Sequence, residues 1–171
     1  MAADLDTLRT IAEIAATFAG FAALVSTLGR RLTQAGAVHD LLRLRLVIGV
    51  SIVVVATALL PIPLLDFEID TDSSWRIAAL VFLLLIYTTV ISFINSYRPV
   101  RGSFPPDRLA VSVAIVLGIA VQIALLTIVL GLAPERDAAL YVTALVGTLC
   151  QAAFVFMRLV GSTFSHIAVK R

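Results

Sequence analysis

The chain has 171 residues, of which 60% are hydrophobic and 14% charged, and its formal net charge at pH 7 is +2. Soluble globular domains are about 45–50% apolar and about 25% charged, and a domain of this size cannot bury the excess because much of its surface stays exposed. The composition excludes an ordinary soluble domain and predicts a protein embedded in a lipid bilayer.

Five apolar runs of roughly 20 residues each follow one another along the chain. A run of this length crosses the hydrocarbon core as an α-helix, because a helix satisfies its own backbone polar groups in lipid. The predicted transmembrane helices cover residues 8–29, 44–65, 77–95, 109–132 and 138–157. We expect an all-α fold, with residues 1–171 forming a single transmembrane domain built as a five-helix bundle.

Several helix ends carry sequence signals. Pro61 and Pro63 are expected to close the second helix, because proline cannot donate the backbone hydrogen bond of a helix interior. Ser73 and Ser74 are candidate N-caps for the third helix, and Asp107 is a candidate for the fourth. An acidic first turn is expected for the fifth helix.

The distribution of loop charge predicts the orientation. Five passes place residues 30–45, residues 97–108 and the C-terminal tail on the same side of the membrane. The basic residues on that side are ten of the chain's thirteen: Arg30, Arg31, Arg43, Arg45, Arg98, Arg101, Arg108, Arg158, Lys170 and Arg171. Because basic loops stay in the cytoplasm, we expect the N-terminus outside and the C-terminus inside.

The first predicted helix sorts its residues onto three faces at helical spacing. Its bulky face comprises Ile11, Ile14, Phe18, Phe21, Val25 and Leu28. Its small face comprises Ala12, Ala16, Ala19, Ala23 and Ser26. Its polar face comprises Thr10, Glu13, Thr17, Gly20, Thr27 and Arg31. Such a helix is expected inside the bundle or at a subunit contact, with the small face, including Ala16, Ala19 and Ala23, packing closely on another helix.

Glu13 is the acid that lies well inside an apolar run. Because intramembrane acids are costly and face water or a partner, Glu13 is a candidate cation or proton site on a pathway. The alternative is a carboxyl that bonds neighbouring helices or reaches the headgroups. Thr127 and Thr143 are expected at similar depth, and Pro61 frees the carbonyl of Thr57, to which a protonated Glu13 would be able to donate.

A second polar layer is expected near the membrane midplane. It comprises Gln122, Gln151, Thr57 and Thr88. One interpretation is a contact between the two glutamines that holds their helices together, and the other is the polar lining of a pore. Gly118 shares a stripe with Gln122 and is expected to favour close helix packing.

No motif for catalysis, phosphate binding or metal binding stands in the sequence. We expect neither an enzyme nor a cofactor, and we predict no metal site. The basic residues are expected to meet anionic lipid headgroups rather than nucleic acid.

The stretch from Glu13 to Ala22, together with Leu42-Arg43-Leu44-Arg45 at the start of the second helix, resembles small bacterial multi-pass membrane proteins that have no assigned activity. The resemblance implies a location in the bacterial inner membrane. From the residues themselves we expect a homo-oligomer with a cation- or proton-conducting pathway lined by the first helix. The alternative is a non-conducting accessory or scaffold subunit that packs against another membrane protein.

Overall fold

The computed structural model describes residues 2–29, 37–67, 69–98 and 108–168. Throughout this part of the chain the structure is helical and contains no strand, which confirms the all-α fold. The helices are α1 (Ala2–Gly29), α2 (Ala37–Leu59), α3 (Pro61–Asp66), α4 (Thr71–Tyr97), α5 (Arg108–Val129) and α6 (Asp137–Ala168). A short 3-10 turn at Pro134–Arg136 precedes α6.

Within the described residues, five stretches are long and apolar enough to cross a membrane. They are Leu5–Thr27, Leu41–Asp66, Thr71–Tyr97, Val111–Val129 and Pro134–Arg158. The second of them combines α2 with the short helix α3. The protein is therefore a multi-pass membrane protein.

Some helices run beyond the apolar runs, because a helix does not have to stop where its apolar residues stop, whereas α5 ends at Val129, before the predicted residue 132. α1 begins at Ala2, and α6 continues to Ala168. The predicted caps of the third helix, Ser73 and Ser74, were wrong. The N-cap is Asp70, whose carboxylate accepts a hydrogen bond from the backbone N–H of Ser73 at 3.3 Å, so α4 begins a few residues earlier. Asp107 lies outside the described residues.

Pro61 ends α2, as predicted, whereas Pro63 lies inside the short helix α3, so the chain does not turn at the prolines. Leu60 keeps right-handed helical angles, with φ −59° and ψ −39°, and Pro61 opens α3 directly. Since proline has no N–H, the carbonyl of Thr57 lacks the donor that would normally follow one helical turn later.

The two central helices of the bundle are α2 and α6. α6 packs against α1, α2, α4 and α5, and α2 packs against α1, α4 and α6. The largest group of buried side chains joins all five spans. Its aromatic centre is Tyr141, whose ring centroid lies 5.5 Å from that of Trp75 and 6.0 Å from that of Phe82.

A smaller buried cluster lies further along α1 and α2. It consists of Ala22, Leu44 and Val47, with Val25 and Phe156 packed against it. Large apolar side chains are exposed on the outer surface of α4 and α5, as lipid-facing surfaces require.

Candidate functional site

The polar residues of α1 lie on its exposed face. Thr10, Glu13, Thr17 and Gly20 are all exposed. The buried residues of α1 are Leu8, Ile11, Ala12, Ala15 and Ala22, and at 3.6 residues per turn these point the opposite way. The structure thus brings the four predicted pathway residues of α1 together, but on the outside of the bundle. Of the two locations expected for the first helix, inside the bundle or at a subunit contact, the first does not hold for this face, and the subunit contact stays a prediction.

The polar face continues to the start of the helix. The hydroxyl of Thr10 donates to the carbonyl of Asp6 at 2.9 Å, and that of Thr17 donates to the carbonyl of Glu13 at 2.8 Å. Arg9 pairs with the Asp6 carboxylate at 3.7 Å. The Glu13 carboxylate forms no ion pair with any described residue. It lies about 12 Å into the span that begins at Leu5, since eight residues each rise 1.5 Å.

The small face predicted for α1 coincides only in part with the face that packs in the bundle, where Ala12 is buried and Ser26 half-buried. Ala16 and Ala23 are exposed and Ala19 is half-buried, whereas Ala15 and Ala22 are fully buried. As a contact within the chain, the small face was therefore wrong at Ala16 and Ala23. Alanine stands on nearly every side of this helix, which is why the sequence did not distinguish the packed stripe from its neighbour.

The Thr57 carbonyl has a different partner from the one we considered. It accepts a 2.7 Å hydrogen bond from the hydroxyl of Tyr141, and both residues are fully buried. The Thr57 hydroxyl donates to the carbonyl of Val53 at 2.7 Å. Glu13 faces away from the bundle, so the suggested bond from Glu13 to Thr57 was wrong. The sequence did contain a signal for Tyr141, because a tyrosine in an apolar span needs a buried acceptor.

The two threonines expected near the depth of Glu13 make local bonds. Thr127 is half-buried and donates to the carbonyl of Ile123 at 2.8 Å. Thr143 is exposed and donates to the carbonyl of Ala139, also at 2.8 Å. Neither hydroxyl donates to Glu13.

The predicted contact between Gln122 and Gln151 does not form. Gln151 instead donates its Nε2 hydrogen to the backbone carbonyl of Ala114 at 2.9 Å. Gly118 lies beside this amide, but a Cβ atom there would lie 3.9 Å from Nε2, an ordinary van der Waals distance, so the contact does not require glycine. The prediction counted residues from the start of each helix. In two antiparallel helices, residues lie at the same depth when they are equally far from the turn that joins the helices.

The other members of the expected midplane layer make separate contacts, and the layer itself stays a prediction. Thr88 is exposed, and its hydroxyl donates to the carbonyl of Leu85 at 2.9 Å. Thr57 belongs to the buried contact with Tyr141. Gln122 is half-buried on α5.

Sequence reasoning overlooked the buried carboxylate of Asp137. Asp137 is 1% exposed, and neither carboxylate oxygen has a hydrogen-bond partner among the described residues. The charges of Asp72, Arg76 and Glu135 surround it. The Arg76 guanidinium occupies the space beside Gly131, which has a φ of +63°. In the described part of the chain, no group of three or more His, Cys, Asp or Glu side chains is arranged to hold a metal ion.

Comparison with protein families, characterised proteins and solved structures finds no match for this chain. The multi-pass membrane architecture stands on the sequence and the helices themselves. The bacterial inner membrane and the orientation of the termini stay predictions.

Proposed function

We propose that the protein assembles with copies of itself through the exposed face of α1 and forms a cation- or proton-conducting pathway between subunits. The observation that supports this is the position of Glu13. It stands inside a membrane span together with Thr10, Thr17 and Gly20, on the side of α1 that faces away from the bundle.

A lone subunit would turn this face towards lipid. A charged side chain at the centre of a membrane helix costs about 2.5–3.5 kcal/mol on insertion scales. A neighbouring subunit or water in a shared pathway removes most of that cost. The face is therefore expected to be covered in the assembled protein.

A closed ring of identical subunits turns the same face of every copy towards one axis. Glu13 would then recur once per subunit as a ring of carboxylates, an arrangement that favours cations in channels. The Asp6 and Arg9 side chains would stand at the mouth of this pathway. Further in, exposed Phe21 and Leu24 follow Gly20 and would form an apolar constriction that gates by losing its water.

The first experiment tests the subunit contact. In a Cys150→Ser background, Thr17→Cys should form disulfide-linked dimers in native membranes, because the exposed faces of α1 approach one another. The matched control is Ile123→Cys, which is also exposed but lies on α5 and should not cross-link. Equal cross-linking at both positions, or none at position 17, contradicts assembly through α1.

The second experiment tests conduction. Purified protein in liposomes should carry a cation or proton flux, and Glu13→Gln should reduce that flux or change its pH dependence. Glu135→Gln is the control, because Glu135 is an exposed acid outside α1. Absence of wild-type flux under every cation and proton gradient applied rejects conduction, even if the cross-link forms.

A non-conducting accessory subunit is the second candidate, and the hydrogen bonds of α1 favour it. The hydroxyls of Thr10 and Thr17 are already bonded to their own helix. The same face carries small residues, namely Ala16, Gly20 and Ala23. They allow the backbone of a helix from another protein to approach closely and pack without water between the two helices. In this case Thr17→Cys does not cross-link to itself, and the protein is unstable when it is produced alone.

A further inference from the structure

A cavity of about 370 Å³ lies between α2 and α4. It is separate from α1 and from the Tyr141 cluster. Its walls include Arg45, Leu46 and Gly49 from α2, and Thr89, Ser92 and Ser96 from α4. It lies towards the end of the bundle where α2 carries Arg43 and Arg45 and where α4 ends beside Arg98.

The deep end of the cavity is closed by a close approach of the two helices. A Cβ atom on Gly49 would lie 3.4 Å from the Cγ2 methyl of Thr89. The Thr89 hydroxyl donates to the carbonyl of Leu85 at 2.8 Å, so the residue presents its methyl group to α2. The deep end is therefore apolar.

The shallow end is polar along the α4 wall. Ser92 and Ser96 stand one turn apart, and the Ser96 hydroxyl donates to the Ser92 carbonyl at 2.9 Å. The Ser92 hydroxyl forms no hydrogen bond with a described residue and is available to a ligand. Both side chains line the cavity.

Arg45 supplies the charge on the opposite wall. Its side chain lines the cavity, it is exposed, and it forms no ion pair with any described residue. A guanidinium keeps its charge at any physiological pH and binds phosphate through parallel N–H donors. A cation and a free hydroxyl above an apolar slot together form the binding pattern of a phosphate ester that carries a hydrocarbon chain.

We propose that this cavity binds an anionic glycerophospholipid, independently of any conduction by the protein. The phosphate contacts Arg45 and Ser92, and the upper part of one acyl chain enters the slot beside Leu46 and Gly49. The volume falls within the range of about 300–1,000 Å³ typical of small-molecule sites. Free phosphate shares the headgroup chemistry, but it leaves the apolar end of the slot unfilled.

The test uses the purified full chain in detergent, titrated with phosphatidylglycerol or phosphatidylcholine and analysed by native mass spectrometry. Phosphatidylglycerol should stay bound under conditions that remove phosphatidylcholine. Arg45→Gln should weaken phosphatidylglycerol binding by about five- to tenfold, because one basic side chain near anionic lipid contributes about that much. Arg98→Gln is the control, since Arg98 is exposed at the end of α4 and is not among the lining residues.

A second variant tests the shape of the site without changing its charge. Ser92→Leu adds bulk at an exposed position and should also displace the lipid, while thermal unfolding in detergent shows that the fold is kept. A separate titration uses inorganic phosphate at millimolar concentration, which should not displace the bound lipid.

Each of five results overturns the proposal. Four concern lipid binding: equal retention of the two lipids, unchanged binding in Arg45→Gln, an equal loss in Arg98→Gln, and unchanged binding in Ser92→Leu. Displacement of phosphatidylglycerol by phosphate alone would also overturn it, because the site would then recognise free phosphate rather than lipid.

Discussion

Tyr141→Phe isolates one hydrogen bond at the centre of the bundle. The change removes the hydroxyl that donates to the Thr57 carbonyl at 2.7 Å. It keeps the ring, so the contacts with Trp75 and Phe82 remain. The variant therefore reports on the hydrogen bond rather than on packing.

The loss of unfolding free energy expected for Tyr141→Phe lies near the upper end of the range known for hydrogen bonds between membrane helices. Side-chain hydrogen bonds between membrane helices average about 0.6 kcal/mol and reach about 1.7 kcal/mol. Because Pro61 also denies the Thr57 carbonyl its helical donor, Tyr141→Phe leaves a buried acceptor unsatisfied, which costs about 1–3 kcal/mol. We expect a loss of about 1–2 kcal/mol in the free energy of unfolding.

A double-mutant cycle ties this cost to the proline. Leu60 keeps helical angles, so Pro61→Ala would bring a backbone N–H towards the Thr57 carbonyl. In that background Tyr141→Phe should cost less than it does in the wild type, because the carbonyl then has a second donor. The difference between the two costs is the coupling energy between the two positions.

The assay is unfolding by sodium dodecyl sulfate in mixed micelles, followed by the fluorescence of Trp75. Trp75 is the single tryptophan of the chain, and it is buried against the Tyr141 ring. Tyr87→Phe is the control, since Tyr87 is exposed. The reasoning fails if both phenylalanine variants unfold alike, or if Pro61→Ala leaves the cost of Tyr141→Phe unchanged.

Three further predictions follow from packing and charge. Gly147→Ala should destabilise the fold by about 1 kcal/mol, since its Cβ would lie 3.0 Å from the buried Val121. Gly118→Ala, with room for a Cβ, should be neutral or stabilising in the same detergent unfolding assay. Ala15→Leu should lower stability in detergent by about 1–3 kcal/mol through overpacking, whereas exposed Ala16→Leu should leave the subunit stable and weaken only its assembly, as measured by size in native-like lipid. A cytoplasm-specific reporter fused to the C-terminus should be active, and a silent fusion reverses the predicted orientation.

The fold class, and the end of α2 at Pro61, could be predicted from the sequence. Apolar runs of membrane-spanning length that are not closed into a barrel must be helical, because only the helix satisfies their backbone hydrogen bonds in lipid. Pro61 marked the end of α2 because its missing N–H is a local property. Helix ends were less accurate, since Asp70 caps α4 through a backbone conformation that hydropathy does not report.

The rotation of each helix about its own axis, which decides which residues are buried, could not be predicted from the sequence. In α1 the buried Ala15 and the exposed Ala16 are neighbours of the same type, so composition does not decide which of them packs. The contact of Gln151 with Ala114 was also not predicted. The depth at which each residue lies depends on the turn that joins the two antiparallel helices. Long-range pairs such as Thr57 and Tyr141 depend on both rotation and depth.

The hydrogen-bond partners of polar groups inside the bundle can be compared with the situation of Glu13 on the outer face of α1. Within the bundle, Tyr141 satisfies the one carbonyl that Pro61 frees, and Gln151 bonds to the backbone of α5. A lipid-facing Glu13 would cost more than an unpaired carbonyl, because its charged form must leave water altogether. Under the proposed assembly, the exposed face of α1 finds its partner outside the subunit, and identical copies are the partner that is always present at matching concentration. Cross-linking through position 17 decides between that partner and a foreign helix, and flux decides whether the contact contains water.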